Sequence, residues 1–236
     1  MIRFRQIAIG TGAGPSCHRC SAARAGQFFR DADEIAADVV AAVGAWDASS
    51  GPNVSFLGAE PFAHDALPRL ITHARTAGVK RISLMTDGAA LGFGDNAVGA
   101  IHVGVRHVVV RSIGLGEAAD ERAGRPGLSA AMIAGIRAFL DAAHRAEATV
   151  AVSAEVAVCR HNANELPGIV ATLGEAGVGC VTFLQDPGAT PPPTSVAGML
   201  AAACDTGVVN GVWVEVRDLP LPATHTLHRA TAGGAL

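Results

Sequence analysis

The stretch Asn53-Val-Ser-Phe-Leu-Gly-Ala-Glu-Pro61 decides the fold. An apolar segment runs into two small residues, an acid and a proline, which is the pattern of a buried strand that ends in a tight turn. Earlier in the chain, Cys17-His-Arg-Cys20 places two thiols after the apolar segment 6–10, which also predicts a strand. Both motifs therefore follow the carboxyl end of a predicted strand.

Outward from this stretch, short apolar strands alternate with amphipathic helices. The predicted strands cover residues 6–10, 53–57, 81–86, 107–111, 149–158, 179–184 and 212–216. The predicted helices cover residues 33–46, 65–77, 95–103, a segment capped by Ser129, 164–176 capped by Asn164, and 196–204. Strands separated by helices indicate parallel pairing, in either a doubly wound sheet or a whole or partial barrel. In both architectures the functional site lies at the carboxyl ends of the strands.

Composition narrows the class of protein. The 236 residues are 50% hydrophobic and 17% charged, which suits one domain, predicted over residues 1–218 with a tail at 219–236. The net charge is −3 and Lys80 is the only lysine, so no basic surface for nucleic acid is predicted. No apolar run is long enough for a membrane span. Five irregularly spaced cysteines favour a reducing cytoplasm over a secreted disulfide framework.

The order of the motifs resembles the radical S-adenosylmethionine (SAM) superfamily across nearly the whole chain. That family has a Cys-x3-Cys-x2-Cys loop after the first strand, Gly-Gly-Glu-Pro after the second and Thr-Asn-Gly after the third. Here the corresponding places hold Ala13-x3-Cys17-x2-Cys20, Gly58-Ala-Glu-Pro61 and Thr86-Asp-Gly88. Gly124-Arg-Pro-Gly127 and His161-Asn-Ala-Asn-Glu-Leu166 also resemble family sequence before helices. The resemblance implies an α/β fold, a partial (β/α)6-type TIM barrel.

The resemblance also implies two cofactors, a [4Fe–4S] cluster and SAM. Cys17 and Cys20 would hold the cluster, one iron of which stays open for the amino and carboxylate groups of SAM. Reductive cleavage of SAM in this family yields a 5′-deoxyadenosyl radical, so the cofactors supply the difficult chemistry. Glu60 would accept a hydrogen bond from the SAM ammonium, beside small residues that admit the methionyl group. The SAM-binding residues implied in this way are Gly58, Ala59, Glu60, Thr86 and Ser112.

One thiol of the family motif is missing. Ala13 cannot ligate iron, and Arg19 stands where the family has a hydrophobic or aromatic residue. His18, Cys159 or a partner protein are the candidate third ligands, although a buried inert cysteine is the favoured interpretation of Cys159. Two functions stay open. One is a SAM- and Fe–S-dependent enzyme, or a subunit of one, that modifies a peptide or small molecule. The other is a cluster-free scaffold or partner subunit of a catalytic homologue.

Other interpretations of the cysteines have less support. A zinc site needs two more ligands near Cys17 and Cys20, and only His18 is close. A thioredoxin-like dithiol belongs to a much shorter domain. Cys180 and Cys204 are predicted to be small core residues. The motifs indicate no particular catalytic residue.

Overall fold

The computed structural model describes residues 4–11, 28–46, 51–185, 195–217 and 219. Within these ranges the strands are β1 Arg5–Ala8, β2 Gly10–Thr11, β3 Phe28–Phe29, β4 Asn53–Leu57, β5 Arg81–Thr86, β6 Val105–Ser112, β7 Ala151–Val158, β8 Cys180–Gln185 and β9 Trp213–Arg217. The helices are α1 Ala32–Gly44, α2 Leu67–Thr76, α3 Asn96–Val103, α4 Gly116–Ala123, α5 Leu128–Arg145, α6 Leu166–Glu175 and α7 Val196–Asn210. Short 3-10 helices cover Pro61–Ala63 and Ala89–Gly92.

The strand order distinguishes a barrel from a doubly wound sheet. In the described part of the chain, seven strands pair in parallel in the order β1-β4-β5-β6-β7-β8-β9. Each strand therefore lies beside the next one along the chain, without the reversal of order that defines a doubly wound sheet. The α/β fold with a partial barrel is confirmed. The short strands β2 and β3 form a separate antiparallel pair.

The helices cover one face of this sheet. Alternate residues of β7, at 152, 154, 156 and 158, are buried and belong to one hydrophobic cluster with α5 and α6 residues such as Phe139 and Leu173. The register continues the same set of apolar positions across the neighbouring strands. Successive strand residues point to opposite faces, so residues 153 and 155 of β7 lie on the face away from the helices, which we call the inner face.

Helix ends are where the sequence-based predictions were wrong. Ser129 does not cap α5, whose N-cap is Gly127; instead its backbone N–H and Oγ donate to Asp120 Oδ1, at 2.8 and 2.5 Å. Asn164 does not cap α6, since that helix begins at Leu166 after Glu165. Helix α7 continues past the predicted end at residue 204 to Asn210, where Gly211 ends it in a left-handed conformation.

Two further predictions concern the limits of the domain and a membrane-spanning segment. The tail at residues 219–236 lies outside the described residues except for Leu219, so the domain limits stay a prediction. Among the helices described, none is both long and apolar enough to cross a bilayer.

Candidate cofactor-binding site

Three of the sequence motifs lie at the carboxyl ends of adjacent strands. Glu60 follows β4, Thr86 ends β5 and Ser112 ends β6, and these three strands are neighbours in the parallel sheet. Glu60 also caps the short helix that begins at Pro61. For these three motifs, the prediction of one shared edge is confirmed by this topology, whereas the cysteine motif lies outside the described residues.

The Glu60 carboxylate is held by donors from two loops. Thr86 Oγ1 lies 2.7 Å from Oε1 and 2.8 Å from Oε2 of this carboxylate. The backbone N–H of Asp87 donates to Oε2 at 3.0 Å, and that of Phe62 donates to Oε1 at 3.3 Å. An ionised carboxylate offers about four acceptor positions. These three donors therefore orient Glu60 and leave it capacity for one more donor.

The environment of Glu60 disfavours its negative charge. Burial raises the pKa of the Glu60 carboxyl above its ordinary value, and the nearby negative charge of Asp87 raises it further. The hydrogen bonds from Asp87, Thr86 and Phe62 act in the opposite direction. A positively charged group beside Glu60 would lower the pKa of this carboxyl again, because an opposite charge favours the ionised form. The site is therefore suited to a cationic ligand group.

The Thr86-Asp-Gly turn supports this carboxylate. The N–H of Gly88 donates to Thr86 Oγ1 at 3.0 Å, and the N–H of Ala89 donates to Asp87 Oδ1 at 3.0 Å. Asp87 also forms an ion pair with Arg125, from the Gly-Arg-Pro-Gly segment. Thr86 thus positions Glu60 through a fixed turn, and direct contact of Thr86 with SAM stays a prediction.

Ser112 is engaged within its own loop. Its Oγ donates to the carbonyl oxygen of Gly114 at 2.6 Å and accepts from the N–H of Gly114 at 3.1 Å. Both bonds stabilise the turn that follows β6. The predicted contact of Ser112 with SAM stays a prediction too.

The Gly58-Ala59 turn packs against the base of the cysteine loop. Strands β2 and β3 pair where the chain leaves for residues 12–27 and where it returns, with Gly10 opposite Phe29. A Cβ on Gly58, whose φ is +106°, would lie 2.1 Å from the carbonyl oxygen of Gly10. A Cβ on Gly10 would lie 3.0 Å from that of Ala59. The small residues of this turn therefore admit the neighbouring backbone, and their approach to SAM stays a prediction.

His64 has a defined role that the sequence did not indicate. The N–H of Ala66 donates to His64 Nδ1 at 3.1 Å, so Nε2 carries the proton and donates to the carbonyl oxygen of Arg30 at 3.2 Å. Arg30 in turn donates to the carbonyl oxygen of Ala8 and to Asp38, both at 2.8 Å. These bonds fix the returning end of the cysteine loop beside β1 and the Glu60 turn. Only the closeness of His64 to Glu60 in sequence pointed to this role.

The predicted metal ligands Cys17 and Cys20, with Ala13, His18 and Arg19, lie outside the described residues. Within the described ranges, no group of three or more His, Cys, Asp or Glu side chains could hold a metal ion.

The other three cysteines lie in the described part of the chain. Cys159 is 2% exposed, which confirms its interpretation as a buried cysteine. Cys180 is only partly buried and lies outside the hydrophobic cluster, so its assignment to the core was wrong. Cys204 is partly buried and packs against that cluster, as predicted. Burial raises the pKa of both of these thiols.

Solved structures with the same fold bind SAM or carry an iron–sulfur cluster. SuiB from Streptococcus suis, bound to the precursor peptide SuiA, has a TM-score of 0.67 at 13% identity over 90% of this chain and 48% of SuiB. SuiB bound to S-adenosylmethionine has a TM-score of 0.59 at 12% identity, over 90% of this chain and 49% of that one. This chain thus spans about half the length of SuiB.

Two further structures extend the comparison. The radical SAM methyltransferase TsrM from Kitasatospora setae, with cobalamin and a [4Fe–4S] cluster bound, has a TM-score of 0.52 at 14% identity, over 76% of this chain and 36% of TsrM. Methylornithine synthase (PylB) has a TM-score of 0.54 at 11% identity, over 97% of this chain and 76% of PylB. No family model and no curated protein matches the chain. These similarities, all at 11–14% identity, confirm the predicted fold, which this chain shares with solved radical SAM enzymes.

Proposed function

We propose that this chain is a radical SAM protein that binds SAM beside Glu60 and uses Cys17 and Cys20 as cluster ligands. Its reaction class is radical modification of a peptide or a small molecule. The observation that carries the proposal is the packing of the Gly58-Ala59 turn against Gly10, at the base of the loop that contains both cysteines. One ligand can therefore reach the Glu60 turn and the start of that loop.

The residues around Glu60 suit the ammonium group of SAM. The carboxylate is buried, is oriented by Thr86 and Asp87, and has an acceptor position to spare. A charge-assisted hydrogen bond from an ammonium group to such an acceptor is about twice as strong as a neutral one. Glu60 would hold the amino end of SAM and orient it toward the cysteine loop.

The cysteines suit the cluster only in part. The chain offers two thiols where the family motif has three, because Ala13 stands at the first cysteine position. A complete ligand set would need His18 or a group from a partner. When bound, the cluster supplies the electron for reductive cleavage of SAM. The burial of Cys159 argues against that residue as the third ligand.

The alternative function is a cluster-free subunit that recruits substrate or a catalytic homologue. The observation that favours it is Ala13 itself, together with Arg19. A peptide substrate is supported by SuiB, which was solved with its precursor peptide. The two functions differ in whether this chain binds iron.

The first experiment measures SAM binding by calorimetry with the full chain after anaerobic reconstitution. We expect the Glu60→Gln variant to bind SAM at least about tenfold more weakly, since one charge-assisted hydrogen bond is lost. The control is Glu175→Gln, at an exposed glutamate at the end of α6, which should leave the affinity unchanged. Equal affinities for all three proteins would remove Glu60 from the site. No binding by the parent protein would overturn the proposal.

The second measurement is the iron and sulfide content of the same preparations. A radical SAM enzyme should bind about four irons per chain, and Ala13→Cys should raise the occupancy of the parent. If the parent stays colourless while Ala13→Cys binds iron, the loop keeps its geometry and the scaffold function is favoured. If neither protein binds iron in the presence of SAM, the cluster is excluded.

A further inference from the structure

The inner face of the sheet carries charged side chains within its parallel strands. Arg111 lies on β6, Glu155 on β7, and Glu215 and Arg217 on β9. Strands of a parallel sheet are normally covered on both faces and are apolar throughout. Here the outer positions follow that rule, whereas the inner positions of these strands carry both signs of charge. This pattern is unlike a packed core and calls for a polar occupant.

Strand register places these groups next to one another. Arg111 is the Cα partner of Glu155 across the β6–β7 ladder. Thr182 of β8 lies between Glu155 and Glu215 in the next two ladders. Neighbouring strands are only about 4.8 Å apart, and paired residues point to the same face. These four residues of the ladder, one from each of β6, β7, β8 and β9, therefore form one row across the inner face. We call Arg111, Glu155, Thr182 and Glu215 the charged row.

The members of the charged row differ in how far they are already paired. Glu215 accepts from Arg217 Nη2 at 2.9 Å and from Thr182 Oγ1 at 3.3 Å. Glu155 lies 4.0 Å from Arg217 Nη1, a distance too long for a hydrogen bond. Across the described residues, Arg111 makes no hydrogen bond or ion pair. Within the described residues, the row thus offers a guanidinium without a hydrogen bond or ion pair, next in register to a carboxylate whose ion pair with Arg217 is 4.0 Å long.

These two groups are reachable but partly removed from water. The Glu155 side chain is 23% exposed, and Arg111 is half-buried. A ligand with only one charge would leave one of these two groups without a hydrogen-bonded charged partner, since the ion pair of Glu155 with Arg217 is 4.0 Å long, and this is costly in a partly desolvated place. A ligand with both charges would satisfy both. Val109, Leu184 and Trp213, which are half-buried on the same face, add apolar surface nearby.

We propose that the charged row binds a free α-amino acid, with its carboxylate on Arg111 and its ammonium on Glu155. The planar guanidinium matches a carboxylate with two parallel hydrogen bonds. An internal peptide segment is a poorer fit, because its backbone carries neither charge. The inference deepens the proposed function and rests on it for the ligand's role as substrate, while binding itself can be tested without it.

The experiment measures binding of the proteinogenic α-amino acids to the full chain, by thermal shift and then by calorimetry. The best binder is compared with its N-acetyl and carboxamide derivatives, each of which lacks one charge. We expect the parent protein to bind the free amino acid about tenfold or more tightly than either derivative, since each lacks one charged hydrogen bond.

Two variants separate the two contacts. Arg111→Gln should weaken binding and should no longer prefer the free acid to the carboxamide. It should still prefer the free amine to the N-acetyl derivative. Glu155→Gln should show the reverse pattern. The control is Arg81→Gln, at an exposed arginine at the amino end of β5, which should behave as the parent. A misfolded variant would lose both preferences together, so circular dichroism accompanies each titration.

Three outcomes would overturn the inference. They are the absence of any binder at millimolar concentration, an unchanged acid preference in Arg111→Gln, and competition between the amino acid and SAM for the same site. The proposed function is tested separately, and it fails if the parent protein does not bind SAM. A protein that binds an amino acid but not SAM would therefore keep this inference and refute that function.

Discussion

Gly58 and Glu60, two residues of the same turn, have different roles. Glu60 presents a buried carboxylate to the edge of the sheet, and Thr86 and Asp87 hold its orientation. Gly58 makes that placement possible, because its positive φ and missing side chain let the turn contact the carbonyl oxygen of Gly10. The motif therefore combines a residue suited to a ligand with one required by the backbone.

This division predicts that Gly58→Ala destabilises the protein. A side chain at φ +106° is strained, and its Cβ would lie 2.1 Å from a backbone atom that cannot move alone. We expect the free energy of unfolding to fall by about 2 kcal/mol or more. Urea denaturation followed by circular dichroism measures it. The matched control is Gly168→Ala in α6, where no atom lies within 4 Å of the new Cβ. That variant should lose nothing; comparable losses in both variants would contradict the role of Gly58.

At the scale of elements, His107 joins three strands on the inner face. Its Nδ1 lies 3.0 Å from Ser83 Oγ of β5, and its Nε2 lies 3.0 Å from Ser153 Oγ of β7. The ring of Phe4 stacks on it with the centroids 5.4 Å apart. Burial lowers the pKa of His107 below its ordinary value of 6.5. The neutral ring is therefore the form that the folded sheet accommodates.

The lowered pKa of His107 predicts acid sensitivity of the sheet. Below about pH 6.5 the unfolded chain binds a proton that the folded chain resists, so the contribution of His107 is complete above that pH and is lost as the pH falls. The raised pKa of Glu60 acts oppositely, since its effect is lost as the pH rises above 4.5. Urea unfolding from pH 7 to 5 should thus show a smaller loss of stability in His107→Gln than in the parent.

The control for this series is His73→Gln, at an exposed histidine of α2, which keeps the titration of Glu60 unchanged. Its pH profile should follow that of the parent. If all three proteins lose stability in parallel as the pH falls, the pKa of His107 does not differ between the folded and unfolded chain. That result would contradict the prediction.

At the scale of the whole molecule, one hydrophobic cluster connects the outer face of the sheet to helices along its length. It includes Ile35 of α1, Phe139 of α5 and Leu200 of α7. Loss of packing at its centre should therefore affect distant parts of the fold together. Trp46 lies just after α1 and Trp213 in β9, so their fluorescence reports on both ends of the described sheet.

We expect Phe139→Ala to lower the free energy of unfolding by about 3–5 kcal/mol, because Phe139 is 0% exposed and its removal leaves a cavity. The midpoints of urea denaturation followed by tryptophan fluorescence and by far-ultraviolet circular dichroism should shift by the same amount. Phe93→Ala is the control, since Phe93 is 67% exposed, and it should change stability by less than about 0.5 kcal/mol. Separate transitions for the two signals would show that the cluster does not act as one core.

Local sequence pattern predicted two buried strands correctly but missed one helix. Strands 53–57 and 81–86 were predicted with their observed bounds, because buried strands bounded by turn residues are evident in the sequence itself. Helix α4 was not predicted, because it is short and charged and buries Asp120 and Arg122. Asp120 accepts hydrogen bonds from Ser129, and Arg122 forms an ion pair with Glu165, although Arg122 Nε has no hydrogen-bond partner within the described residues. Only the folded chain brings these partners near.

The sequence by itself determined the parallel α/β order and the shared edge of the motifs that follow β4, β5 and β6, since these depend on local periodicity and on the direction of strands. The choice of Glu60 came from the family resemblance of its motif. Periodicity left a doubly wound sheet and a barrel open, and the resemblance favoured the barrel. Tertiary structure decided the strand order that distinguishes them, why residue 58 must be glycine, and which charges meet on the inner face. Each of these depends on register and close approach between segments far apart in the chain.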